Sequence, residues 1–163
     1  MNYLKYFLPI FLLYFLSGCA EVVNYSPSEG VPRDGVIAVF PFQNNTDTPF
    51  AGRKMEDITV SVLLSEGYLA RGVVLKGEEE YLSEDKAIKI SKKLPTKYYL
   101  FGSVNEYRYK SGVEAEPAVA VSFKIVDKDA QKIVYSAVGA KNGWGGESLG
   151  STAQKLILEL IRR

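Results

Sequence analysis

At 163 residues, with 20 Lys and Arg against 19 Asp and Glu, the chain has the size of one ordinary domain and almost no net charge. That balance offers neither the basic footprint of a nucleic-acid binder nor an acidic one for cationic partners. One cysteine and no histidine exclude zinc sites, Cys-His or Ser-His nucleophile pairs and histidine acid–base chemistry from this chain alone, and with them most enzyme classes.

The N-terminus reads as a secretory signal: Lys5 is its positive charge, Phe7 to Leu16 is almost wholly apolar, and small residues lead into the only cysteine. The apolar run is short for a membrane span, which needs about 20 residues. An unpaired thiol is unusual in an exported protein. Leu16-Ser17-Gly18-Cys19 resembles the lipobox of bacterial lipoproteins, whose signal is cut before the cysteine. The resemblance implies acyl chains on Cys19 and a membrane held as partner through them. Ala20, in place of the Asp that favours inner-membrane retention, implies the outer membrane, with the domain facing the periplasm. The expected plan is a signal peptide over 1–18, a lipid anchor and flexible tether over 19–34, and one periplasmic domain over 35–163. The 145 residues after the signal carry 19 basic and 19 acidic side chains.

Residues 20–34 show no period and hold two prolines and a glycine, hence the tether; 15 residues reach at most about 50 Å. Val36 to Phe42 is a nearly continuous apolar run, the pattern of a strand covered on both faces, with Pro41 at its end. From Pro49 the period becomes helical, through Met55, Ile58, Thr59, Val62, Leu63 and Glu66, with Thr48 as cap and Gly67 as stop. Gly72 to Leu75 is a short strand and Gly77 to Leu82 an acidic connection. Ser83 opens a second helix, with Glu84 and Asp85 in its first turn, Lys92 and Lys93 in its last, and Pro95 as its end.

Three strands follow, Lys97 to Lys110, Pro117 to Asp127 and Ile133 to Ala140, alternating clearly and joined after Asp127 by a tight turn. Ser148 to Arg163 closes the chain as an amphipathic helix on Leu149, Ala153, Leu156, Ile157 and Leu160. The predicted fold class is α/β (α+β), a mixed sheet of about five strands in the order β-α-β-α-β-β-β-α. Helices flank the sheet, and its last three strands form an antiparallel meander.

Catalytic motifs are weak. Ser83-Glu84-Asp85-Lys86 fits the Ser-x-x-Lys of penicillin-recognising enzymes and Lys110-Ser111-Gly112 mimics their Lys-Thr-Gly strand, but the Ser-Asp-Asn element is missing and Ser83 is better explained as a helix cap. Gly143-Trp144-Gly145-Gly146 lacks the ending of a phosphate loop, and Glu78-Glu79-Glu80 lacks calcium-loop spacing. No catalytic residue, cofactor or metal is assigned. What remains is an edge of the meander, where the loops 106–116 and 141–147 are neighbours. They bring together Tyr107, Arg108, Tyr109 and Trp144, residue types that anchor interfaces. The competing reading packs these aromatics on the core.

Val36-Ile37-Ala38-Val39-Phe40-Pro41-Phe42-Gln43-Asn44-Asn45-Thr46 resembles the opening strand of the curli secretion channel (CsgG) superfamily, which includes the LpoB-like lipoproteins that activate penicillin-binding proteins. Tyr98 to Tyr107 is similar to a second strand of that superfamily, and the likeness covers about residues 35 to 161. It implies a lipid-anchored periplasmic domain acting through protein contacts. The extra barrel-building hairpins of the channel members are missing here. The resulting expectation is a non-catalytic accessory or assembly factor of an envelope machine, with a protein partner in the cell envelope. The alternative is a homo-oligomer forming the ring of an export channel, and an envelope enzyme ranks last.

Overall fold

The computed structural model describes residues 22–24, 30–75, 82–111, 115–144 and 146–162. The apolar run after Gly35 becomes β2 (Ile37–Val39), and a two-residue strand β3 (Gln43–Asn44) follows Pro41 and Phe42. Helix α1 (Ala51–Ser65) leads to β4 (Ala70–Gly72), and α2 (Glu84–Ser91) leads to the long strands β5 (Tyr98–Tyr109), β6 (Pro117–Asp127) and β7 (Lys132–Asn142). Helix α3 (Leu149–Ile161) closes the chain, and β1 (Val22–Asn24) precedes it all. One mixed sheet results, in the order β1-β7-β6-β5-β2-β4, with β3 pairing β5 beyond the end of β2. Strand β2 runs parallel to β4 and β5, while β5, β6 and β7 form the expected antiparallel meander.

The alternation of the strands decides which face receives which helix. On one face, Leu100, Val104, Val119, Val121, Phe123 and Ile125 are buried with Met55 and Leu63 of α1 and Leu156, Ile157 and Leu160 of α3. On the other, Ala38, Phe40, Tyr99, Phe101 and Val126 pack with Ala87 of α2 and with Leu82. This second cover reaches only part of the sheet. Beyond it the β6–β7 half presents Ser122, Lys124, Ser136 and Val138, none of them fully buried.

Phe42 joins the first face to α1. A Cβ on Gly52 would come within 2.0 Å of the Phe42 carbonyl oxygen, and one on Gly102 within 2.5 Å of its ring, so only glycine lets strand, ring and helix approach this closely.

Several sequence expectations shift. Thr48 is not the cap of α1; Phe50 holds that position at φ 59 without a side-chain bond, and Thr48 Oγ1 instead donates to the Tyr107 carbonyl at 2.6 Å. The helix does stop before Gly67, whose φ is 80. The short strand expected at Gly72 to Leu75 begins two residues earlier and ends at Gly72, because the parallel register sets Ala70 opposite Ile37. Ser83 occupies the cap position of α2, but its side chain makes no capping bond there.

The tether expected over 19–34 is also changed. Val22–Asn24 pair antiparallel with Gly139, Val138 and Ala137 of β7. Val31 joins the core, the Arg33 guanidinium stacks 4.0 Å above the Tyr68 ring, and Asp34 accepts hydrogen bonds from Tyr98 and Lys97. Packing therefore begins before residue 35, through contacts between residues far apart in the chain that no local pattern displays. The lipobox Leu16, Ser17, Gly18 and Cys19 lies outside the described residues, as do the acidic triplet 78–80 and residues 112–114 of the β5–β6 loop.

Candidate docking surface

The antiparallel meander brings the end of β5, the start of β6 and the end of β7 to one edge: Tyr109 pairs with Pro117, whose carbonyl accepts from Gly143 N–H at 2.8 Å. The segment after Gly143 turns on a single carboxylate. Glu147 Oε2 accepts from Trp144 N–H at 3.3 Å and from Thr152 Oγ1 at 3.4 Å, and its other oxygen pairs with Lys155. The Lys155 ammonium holds the Glu147 carboxyl below the usual carboxylate range. A Cβ at Gly143 would lie 2.5 Å from both Glu147 Oε2 and Thr152 Oγ1 and 2.6 Å from the Pro117 ring, so a larger residue there displaces the carboxylate that holds the turn. Ser148 then caps α3 by accepting from Ser151 N–H at 3.0 Å. The turn is tied to its own helix and leaves the Trp144 indole 69% exposed.

The four residues expected side by side at this edge separate. Tyr107 is 5% exposed and belongs to the core that α1 and α3 close, so it is not surface. Arg108 points to the opposite face, where it pairs with Glu106 at 3.0 Å. Tyr109 stays half exposed on the Tyr107 side, with its hydroxyl 3.4 Å from Leu149 N–H. A register shift between Val104 and Glu106 sets this arrangement, and alternation alone does not reveal it.

A second surface, missed in the sequence, lies on the half-covered sheet face. There a cavity of about 400 Å³ has Ser103, Ser122, Ser136 and Val138 in its floor and Glu84, from the first turn of α2, on its wall. Glu84 pairs with Lys124 across it. The signal was present as small residues, Ser and Ala, where a covered strand carries large ones. Among the described residues no group of three Asp, Glu, Cys or His side chains could hold a metal ion, and no helix is long and apolar enough to cross a membrane.

This fold is similar to that of lipoprotein GNA1162 from Neisseria meningitidis. The two share 18% identity at a TM-score of 0.56, over 74% of this chain and 92% of that one. The PelC dodecamer from Paraburkholderia phytofirmans is more similar: 31% identity, a TM-score of 0.74, and 87% of this chain against 94% of that one. A variant of the same dodecamer matches at 32% identity with the same TM-score. The chain belongs to the PelC family. No protein-family model matches it, and no curated protein does.

Proposed function

We propose that this chain is an outer-membrane lipoprotein that works as a ring of identical copies, a non-catalytic accessory component of an envelope machine facing the periplasm. The observation that carries the reading is the 31% identity, over 87% of this chain, with a relative that assembles as a dodecamer. The resemblance of residues 36–46 and 98–107 to the curli secretion channel superfamily points the same way, toward an export assembly built on such a ring. Acyl chains on Cys19 provide the membrane attachment; two or more, at about 0.8 kcal/mol per buried CH₂, anchor stably where one is marginal.

The register of β1 supports an orientation. Val22 pairs with Gly139 and Asn24 with Ala137, so β1 enters the sheet from the Asn142–Trp144 end of β7. Cys19 is three residues earlier, a reach of at most about 10 Å. The anchor therefore holds Trp144 and Tyr109 at the headgroups, where indole and phenol rings favour the interface between water and lipid. This assigns the aromatic edge to the membrane before any protein partner.

Light scattering of the chain with Cys19 replaced by Ser tests the ring: a mass near a dozen copies is expected, and a monomer at every concentration refutes it. Cell fractionation of the same variant tests the anchor, since a protein still sedimenting with membranes does not depend on Cys19. Trp144 is the only tryptophan, so its fluorescence reports orientation directly. Quenching by brominated lipid is expected in vesicles carrying the acylated chain, and an unquenched, red emission rejects the orientation.

A further inference from the structure

Among the described residues, eight large apolar side chains are exposed, and they fall into three places. Phe50, Tyr109 and Trp144 form one set, the last two at the edge assigned to the membrane. Leu69 and Val74 flank the edge strand β4, and Leu64 lies in the last turn of the helix that leads into it. Ile133 and Val138 lie on β7, toward the opposite end of the sheet, and Val138 borders the cavity on the half-covered face.

A closed ring of one chain is built by a head-to-tail contact, which needs two different patches on opposite flanks of each copy. The β4 edge and the open β7 half are such a pair. Val74 is 94% exposed, a free apolar knob. The register sets Gly72 level with Leu100, which places Val74 near the height of Gly102 and Ser103, and the cavity is centred on Ser103, Ser122 and Val138 at that height. Charge agrees through one residue: Arg71 is exposed beside the knob, and Asp85 is exposed in the first turn of α2, next to the Glu84–Lys124 pair at the cavity wall.

We infer that each copy seats the β4 edge around Val74 in the cavity that the next copy opens between α2 and the β6–β7 face, so that copies overlap like roof tiles. This rests on the ring proposed above, and it names the surfaces that make the contact.

The test uses the chain with Cys19 replaced by Ser, so that introduced cysteines are its only thiols. After oxidation, the double variant Val74→Cys, Val138→Cys should give a ladder of linked copies on a non-reducing gel. Each single variant should stay monomeric there, and a mixture of the two should stop at dimers. Val74→Arg should raise the concentration needed for assembly at least about tenfold with an unchanged Tm, because its side chain touches little in its own copy. If light scattering finds the ring and the double variant gives no ladder, the contact lies elsewhere and the inference falls while the ring stands. Self-linking single variants would mean a two-fold contact and overturn it too. A parent chain that never assembles removes both.

Discussion

The two faces of the sheet are built to different standards. The face under α1 and α3 is closed by large side chains, and it also depends on the two glycines that let Phe42 lie between helix and strand. The face under α2 is closed only over β2, β4, β5 and the start of the meander, and then gives way to serines, alanines and Val138. Folding is secured on one side and surface is left available on the other. A chain needed only as a folded unit gains nothing from such a bare half-sheet.

The sharpest way to break this comparison is at Gly52. Gly52→Ala forces a Cβ into the Phe42 carbonyl and should cost about 3 kcal/mol or more, read as a lower denaturation midpoint at unchanged slope. Leu156→Ala, fully buried on the closed face, should cost about 3 kcal/mol, whereas Val126→Ala on the half-covered face should cost about 1. Equal losses would mean that the two faces stabilise alike.

Glu56 sharpens the same contrast through pH. It is 8% exposed on α1, and its carboxylate accepts from Val73 N–H at 2.9 Å, tying the closed face to the β4 edge. Burial, working against that hydrogen bond, pushes its pKa up to about 7. Below about pH 4.5 the group is protonated whether the chain is folded or not. As pH rises from there to about 7 the unfolded chain gives up its proton first, so stability falls, and above about 7 the loss stops. Glu56→Gln should flatten that slope and raise the midpoint at pH 8; a variant whose pH profile matched the parent would clear Glu56 of the effect. The smallest change is expected at Thr59, whose buried hydroxyl has no partner among the described residues. Thr59→Val should stabilise by about 1 kcal/mol, measurable as a rise in Tm.

The sequence was most legible where periodicity and burial coincide. Pro117 to Asp127 came out with both bounds as expected, and Ala153, Leu156, Ile157 and Leu160 face the core as their spacing demanded. It was least legible where distant segments decide. The start of α1 depends on Phe50 in a left-handed conformation, while its predicted cap, Thr48, bonds to β5. Tyr107 is buried because a register shift precedes it, and Arg108 turns away for the same reason. The half-covered face shows in β6 and β7 only as Ser and Ala in place of large side chains, because alternation alone looks the same under a helix or under solvent. The short helix α2, packed on the face that carries Ala38, Phe40, Tyr99, Phe101 and Val126, leaves the rest uncovered.

The position of α3 also sets a timetable. β2 pairs with β5, which begins 61 residues later, and the β6–β7 half of the core is closed by Leu156 and Leu160, close to the C-terminus. Leu160 also accepts the buried Tyr135 hydroxyl. A nascent chain therefore has little to fold around until its final helix emerges, because long-range pairing must wait for its partners. Until then the closed face lacks the Leu156 and Leu160 side chains that complete it, so the order of synthesis alone keeps the meander loose.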